Sequence, residues 1–160
     1  MKHLFTSLLM IVLLSFTSYN SRGQCLIDSS QTGAGVYPDT LPVATAGQLY
    51  DIDITFVMIT DTMGLTINNY QIANVAGLPV GLNWQCNNSG NGCNYDPSVS
   101  LYGCVDISGT PIVPGNYIMT VTVIADVQLV GAQTIPFDVP LTVLPGVVNN
   151  PGFSMLNSVG

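Results

Sequence analysis

Basic side chains are almost absent from this chain of 160 residues, and the few that occur lie near its start. The one lysine, the one histidine and the one arginine are Lys2, His3 and Arg22. Beyond Arg22 the chain carries nine aspartates and no cationic side chain. Phosphate groups would find no counter-charge in this part of the chain, which excludes nucleic acids and anionic membrane surfaces as its partners.

The same absence limits the catalytic chemistry that this part of the chain can perform. It has no histidine to act as a general base or to complete a serine triad, no lysine to form a Schiff base and no arginine to clamp a substrate. Glutamate is absent as well, so every side-chain carboxylate is an aspartate. Two aspartates can act together as in glycosidases. The Asp-Ile-Ser-Gly sequence at Asp106 is similar to the loop of an aspartic protease, but the residue after the aspartate differs and there is no second copy of the sequence. We therefore predict that the protein is not an enzyme and has no cofactor.

Long apolar runs are missing after the first residues of the chain. Lys2 precedes an apolar run from Leu4 to Phe16, and small polar residues follow it, which is the pattern of a secretory signal peptide. This run is shorter than a membrane span requires, and no later run is longer. We predict that residues 1–24 are a signal peptide, that the protein is secreted or on the cell surface, and that no membrane span is left after cleavage.

Sustained helical periodicity is also missing, whereas valine, isoleucine, threonine and tyrosine are abundant. Residues 49–59 alternate apolar and polar side chains, which is typical of a strand with one face in a core and one in water. The side chains expected to face solvent in this strand are Asp51, Asp53 and Thr55. Residues 134–144 alternate in the same way, but Pro136 and Pro140 lack the N–H donor, so an edge strand is expected there.

The clearest strand signal lies in residues 106–124. The segment predicts a strand that ends at residues 108–111, a turn at residues 113–115 and a long strand from Tyr117 onward. Tyr117 stands where a sandwich often places a tyrosine whose hydroxyl group bonds back to upstream backbone. These patterns predict an all-β fold over residues 25–145, a Greek-key β-sandwich of about seven or eight strands. Residues 146–160 are predicted to be a linker or tail.

Four cysteines lie beyond the predicted leader, at Cys25, Cys86, Cys93 and Cys104. An even number of cysteines in an exported protein indicates disulfides, here two. Three pairings are compatible with the sequence, and it does not choose among them. A zinc site would need a C-x2-C spacing and usually histidine, and both are absent.

Two sequence segments resemble a known family. GLPVGLNW (77–84) and VDISGTPIVPGNYIMTVTVIAD (105–126) are similar to the immunoglobulin-like domain of bacterial surface proteins, of the cadherin-like ISGTP type. The similarity covers about residues 42–144 and implies that the β-sandwich is immunoglobulin-like. It implies core positions and tight turns at these residues: Leu78, Leu82, Ile107, Tyr117 and Val121 in the core, and Gly109 and Gly115 in turns. The longer cysteine-containing segment 86–104 resembles a subset of the family in bacteria that use type IX secretion.

The resemblance implies a non-catalytic role. Members of this family are typically structural spacers or adhesive modules, so we expect the partners to be other domains of a longer surface protein, or an extracellular glycan or protein. Some relatives in the wider cadherin-like group bind calcium. Calcium needs several carboxylate and carbonyl oxygens, and the candidate ligands here are Asp51, Asp53 and Asp126. The alternative is that these aspartates only solvate the outer face of the sandwich.

An alternative function is that of a carbohydrate-binding module that uses the loop 86–104. Sugar-binding surfaces combine aromatic rings with amide and carboxylate groups. The candidate contacts of this kind are Tyr95, Tyr102, Asn94 and Asp96. The competing interpretation is that Tyr95 and Tyr102 pack the loop onto the sheet, while Trp84 lies in the core.

Overall fold

The computed structural model describes residues 25–147. The predicted signal peptide therefore lies outside the described residues, as does most of the predicted tail. Within residues 25–147 there is no α-helix, and no helix long and apolar enough to cross a membrane. The all-β prediction is confirmed.

The described chain forms ten strands and one short 3-10 turn at Ser89–Asn91. In chain order the strands are β1 (Gly35–Tyr37), β2 (Ala44–Thr45), β3 (Tyr50–Val57), β4 (Asp61–Thr62), β5 (Leu65–Ala76), β6 (Leu82–Cys86), β7 (Asn94–Tyr95), β8 (Tyr102–Gly109), β9 (Gly115–Val127) and β10 (Gly131–Leu144). Three of these strands, β2, β4 and β7, have only two residues each, which is why the sequence predicted fewer strands.

The strands form two sheets that pack as a sandwich. One sheet has the order β1-β3-β8-β6, and the other has the order β2-β10-β9-β5, with β4 and β7 also pairing with β5. If the strands are lettered as in an immunoglobulin domain, these are the A-B-E-D sheet and the G-F-C sheet. Neighbouring strands are antiparallel except β2 and β10, which are parallel. The sandwich prediction is therefore confirmed.

The core lies between the sheets and contains apolar side chains that the alternation of apolar and polar residues predicts to face inward. Met119 is completely buried, and Ile107 and Leu141 are almost so. Tyr117 and Val121 are half-buried and pack against this core. The predicted tyrosine corner is present, because the Tyr117 hydroxyl donates a hydrogen bond to the Val113 carbonyl oxygen at 2.8 Å.

Strand β10 is an edge strand along most of its length. It pairs with β9 from Gly131 to Val143, whereas β2 pairs with it only at Val143 and Leu144. Pro136 and Pro140 lie in the part that has a partner on one side only. This is the position in which a strand tolerates proline, because the missing donor would have pointed away from the ladder.

Two expectations about local structure were wrong. Thr55 was expected to face solvent, but it is 2% exposed because the segment that begins at Cys25 covers it. The backbone N–H of Asp28 donates to the Thr55 Oγ1 atom at 2.8 Å. Gly115 was expected in a tight turn, but it is the first residue of β9 and is not among the glycines with a positive φ. Gly109 does need glycine, because its φ is +140° and a Cβ atom there would collide with the Gly81 carbonyl oxygen.

Candidate functional site

The cysteines form two disulfides, Cys25–Cys104 and Cys86–Cys93. The first joins residues that are 79 positions apart and fixes the start of the described chain to β8. The second closes a short loop of sequence separation 7. No described cysteine is free. The prediction of two disulfides is confirmed, and the structure decides among the three pairings.

The Asn87 side chain is one of the groups that hold the loop between β6 and β8 to the sheets. The Asn87 Oδ1 atom accepts a hydrogen bond from the Tyr95 hydroxyl group at 2.8 Å and another from the Cys104 backbone N–H at 3.1 Å. Asn87 thus links β7, in the middle of the loop, to β8, the strand at which the loop ends. Sequence reasoning did not single out Asn87, because its role depends on two contacts distant in sequence.

Tyr95 packs this loop against Phe56 of β3. Its side chain is 6% exposed, and its ring meets the Phe56 ring edge-on, with the centroids 4.9 Å apart. Both rings lie where a side chain at Gly103 would be, so this position has no room for a Cβ atom. Burial raises the pKa of the Tyr95 phenol to about 12. The ring therefore belongs to the interior and offers no surface on which a sugar could stack.

The other candidate sugar contacts also form hydrogen bonds within the protein. The Tyr102 hydroxyl donates to the Gln31 carbonyl oxygen at 2.9 Å and so holds the segment that follows Cys25. The Asn94 side chain donates to the Asn91 carbonyl oxygen at 2.7 Å. Asp96 accepts hydrogen bonds from the backbone N–H and hydroxyl group of Ser98, at 2.8 and 2.6 Å, and these bonds lower the pKa of Asp96.

An acidic cluster lies on the outer face of the four-stranded sheet. Asp53 on β3 is directly opposite Asp106 on β8, and Asp51 is opposite Ser108. The Asp106 Oδ2 atom accepts a hydrogen bond from the Ser108 hydroxyl group at 2.7 Å. Burial, and then the neighbouring charges of Asp51 and Asp53, raise the pKa of Asp106 above its ordinary value of 3.8.

The membership of this cluster differs from the calcium ligand set expected from the sequence. Asp126 lies on β9 in the other sheet, where its carboxylate accepts a hydrogen bond from the Asn68 side chain at 3.1 Å. The structure does not bring it to Asp51 and Asp53, and Asp106 takes that place. The sequence did not place Asp106 beside Asp53, because that neighbour depends on the register between β3 and β8.

One group of potential metal donors lies beside this cluster. The Sγ atoms of Cys25 and Cys104 and a carboxylate oxygen of Asp53 lie within 4.8 Å of one another. The two sulfur atoms are bonded to each other, so they are not thiolates and cannot bind a metal ion. Only the Asp53 carboxylate remains as a ligand in this group.

Comparison of the chain with models of known protein families, with characterised proteins and with solved structures gives no match. The resemblance to the immunoglobulin-like domain of bacterial surface proteins therefore depends on the sequence motifs quoted above, and the family assignment stays a prediction.

Proposed function

We propose that this chain is a non-catalytic immunoglobulin-like module of a secreted or cell-surface protein, and that it acts as a structural spacer. The observation that supports this most directly is that the described chain enters the sandwich at one end and leaves it at the other. An adhesive role of the same module is the alternative that the sequence resemblance implies.

The strand register defines the two ends. At one end, called the Cys25 end, Val57 lies opposite Tyr102, close to the Cys25–Cys104 disulfide. At the opposite end, Tyr50 lies opposite Gly109. The chain leaves at this second end, which we call the Leu144 end.

Contacts around the last strand place Leu144 there. The Leu144 carbonyl oxygen accepts a hydrogen bond from the Ala46 N–H at 2.8 Å, and the neighbouring Gly47 N–H donates to the Pro111 carbonyl oxygen, also at 2.8 Å. Pro111 comes directly after β8, which ends at Gly109. A domain whose chain enters and leaves at opposite ends separates whatever precedes it from whatever follows it by the length of the sandwich.

Both ends are anchored in a way that suits a load-bearing module. At the Cys25 end, the disulfide attaches the chain covalently to β8. At the Leu144 end, the chain leaves from β10, which is paired with β9 from Gly131 to Val143. Tension along the chain would pull β10 along its own axis. Hydrogen bonds in an antiparallel ladder lie perpendicular to the strands, so they would be loaded together and not one after another.

The composition supports the remaining parts of the proposal. Residues 25–147 contain no histidine, lysine or arginine, and all their cysteines are in disulfides, so histidine-based catalysis and cysteine or lysine nucleophiles are not available to them. Disulfides persist in oxidising compartments, which supports export. Type IX secretion is supported only by the resemblance of segment 86–104. Carbohydrate binding by this loop is not proposed, because its four candidate residues form contacts within the protein: Tyr95, Asn94 and Asp96 hold the loop, and Tyr102 holds the segment that follows Cys25.

Single-molecule force spectroscopy tests the spacer role. The full chain, placed between identical marker domains, should unfold in one step at a force well above that of the C25A/C104A variant, because tension in that variant enters through the three-residue edge strand β1. The C86A/C93A variant is the matched control, since its disulfide lies off the path of the force. Equal unfolding forces for the two double variants, or unfolding of the wild type without measurable resistance, would contradict the proposal.

A further inference from the structure

The two sheets do not fill the space between them. A cavity of about 380 Å³ lies on the side of the sandwich formed by β1 and β10. Its walls come from both sheets, with Ile54 and Val105 on one side and Ile72, Val123 and Val139 on the other. This volume lies within the range of about 300–1,000 Å³ that small-molecule sites occupy.

The cavity is apolar on all sides. Tyr70 is the one lining residue with a polar side-chain atom, and its hydroxyl group already donates to the Ile59 carbonyl oxygen at 3.2 Å. Water would find few partners there, and an empty cavity of this size would deprive the lining side chains of packing contacts. An apolar occupant would restore those contacts.

The mouth of the cavity is exposed along the open edge of the sandwich. The inward face of β10 is buried at Leu141 and Val143, which are each 2% exposed, but the same face is 43% exposed at Phe137 and 37% exposed at Ile135. Across the opening, Val36 of β1 is 39% exposed. The apolar face of β10 thus continues beyond the point at which protein covers it, and a molecule can reach the cavity from this side.

The edges beside the mouth are unsuited to an added peptide strand. Strand β1 has only three residues, and β10 carries Pro136 and Pro140, which have no N–H to offer. A peptide that paired there would leave many of its own backbone groups without partners. The occupant should therefore be a small molecule.

The charge of the protein restricts that molecule further. The chain beyond Arg22 has no cationic side chain that could pair with a carboxylate, phosphate or sulfonate, and it carries nine aspartates. The negative charge of these aspartates would repel an anionic ligand, and the ligand would meet no compensating charge at the mouth. We propose that the cavity between the sheets binds one small, uncharged apolar molecule, which enters between β1 and β10.

Two fluorescent probes test this binding, because they share an anilinonaphthalene frame and differ by one negative charge. The full chain, produced in the oxidised form, is titrated with uncharged N-phenyl-1-naphthylamine and with its anionic relative 8-anilinonaphthalene-1-sulfonate. The uncharged probe should bind saturably, one per chain, and roughly tenfold more tightly than the sulfonate. Competition by 1-dodecanol but not by dodecanoate would support the same preference.

Variants locate the site of binding. Val123→Phe fills the cavity and should lower the affinity for the uncharged probe roughly tenfold while the protein still melts cooperatively. Val139→Phe is a second filling variant if the first fails to fold. Val80→Phe makes the same substitution at a position that is 65% exposed and away from the cavity, so it should leave binding unchanged.

Four results would overturn the proposal. They are no saturable binding of the uncharged probe by the wild type, equal affinity for the two probes, unchanged binding when a folded variant has its cavity filled, and a dimer in sedimentation velocity that Phe137→Ser dissociates. The last result would show that a second copy of the chain covers the opening.

Discussion

Hydrogen bonds from tyrosine hydroxyl groups hold several segments of this molecule in place. Residues 25–147 contain no cationic side chain, so ion pairs between side chains are not available to do this. The Tyr117 hydroxyl group bonds to the Val113 carbonyl oxygen, and the Tyr50 hydroxyl group bonds to the Pro42 carbonyl oxygen at 3.0 Å. Each bond joins a strand residue to a segment only a few residues upstream and fixes the path by which the chain enters the strand.

Replacing Tyr117 with phenylalanine should therefore destabilise the protein modestly. The ring stays in place and only the hydrogen bond of 2.8 Å to Val113 is lost, so the free energy of unfolding should fall by about 0.5–1.5 kcal/mol. Urea unfolding followed by circular dichroism measures this change. Met119→Ala serves as the comparison, because removing most of a fully buried side chain should cost about 2–5 kcal/mol. An unchanged urea midpoint for Tyr117→Phe would show that the corner bond adds nothing to stability.

Protonation of Asp106 should make the stability of the folded protein depend on pH. Its pKa is raised in the folded state, chiefly by burial and further by Asp51 and Asp53, so the folded protein holds the proton more tightly than the unfolded chain does. This contribution to stability is fully present below the unfolded pKa of about 3.8 and is lost as the pH rises through the folded pKa. At neutral pH the ionised, partly buried carboxylate therefore weakens the fold.

The substitution Asp106→Asn tests whether the ionised carboxylate destabilises the fold at neutral pH. The amide keeps an oxygen that can accept the Ser108 hydrogen bond but removes the charge beside Asp53. The variant should melt a few degrees above the wild type at pH 7, and the difference should shrink or reverse at pH 3. Asp39→Asn, at an exposed position, is the charge-matched control and should shift the melting temperature less at pH 7. A lower melting temperature for Asp106→Asn at pH 7 would contradict the argument.

At the scale of elements, the two disulfides do different work. Cys25–Cys104 covers the outer face of β3 at Thr55 and closes a long loop, whereas Cys86–Cys93 closes a loop of sequence separation 7 inside one connection. The chain-entropy model predicts that a disulfide stabilises more when it closes a longer loop, because it removes more freedom from the unfolded chain. The first disulfide should therefore be the more important of the two for stability.

The C25A/C104A and C86A/C93A double variants measure this difference. For loops of sequence separation 79 and 7, the model gives losses of about 4.5 and about 2.4 kcal/mol. Denaturant unfolding of both variants and of the oxidised wild type provides the three free energies. A larger loss for C86A/C93A would show that docking of the loop through Tyr95 and Asn87 outweighs the effect on chain entropy.

At the scale of the whole molecule, the long disulfide limits how far the protein can be stretched. When it is intact, the part of the described chain that can extend under tension runs from Cys104 to Val147, which gives about 150 Å of extended chain. Reduction should release the enclosed loop of 79 residues and add about 270 Å. Force-extension curves recorded with and without a reducing agent measure both lengths. An identical length in the two conditions would mean that Cys25 and Cys104 are not bonded to each other.

The sequence allowed much of the fold to be predicted, because alternation of side chains is a local property. Tyr117, Met119 and Val121 occupy one face whatever strand lies beside them, so their inward orientation follows from a period of two. The hydroxyl bond of Tyr117 was also foreseeable, since its partner Val113 is only four residues away. Thr55 was mispredicted because its burial depends on a segment near Cys25, which is distant in sequence.

The candidate site was less predictable, because it depends on contacts between residues that are distant in sequence. The sequence by itself determined that the chain forms strands with one apolar face, that it has no basic groups beyond Arg22, and that its cysteines suit two disulfides. Only the tertiary structure decided that Asp106 lies beside Asp53, that Tyr95 is buried against Phe56, and that a cavity is left between the sheets. Composition and alternation are carried by each segment alone, whereas pairing, burial and unfilled space depend on how segments far apart in the chain pack together.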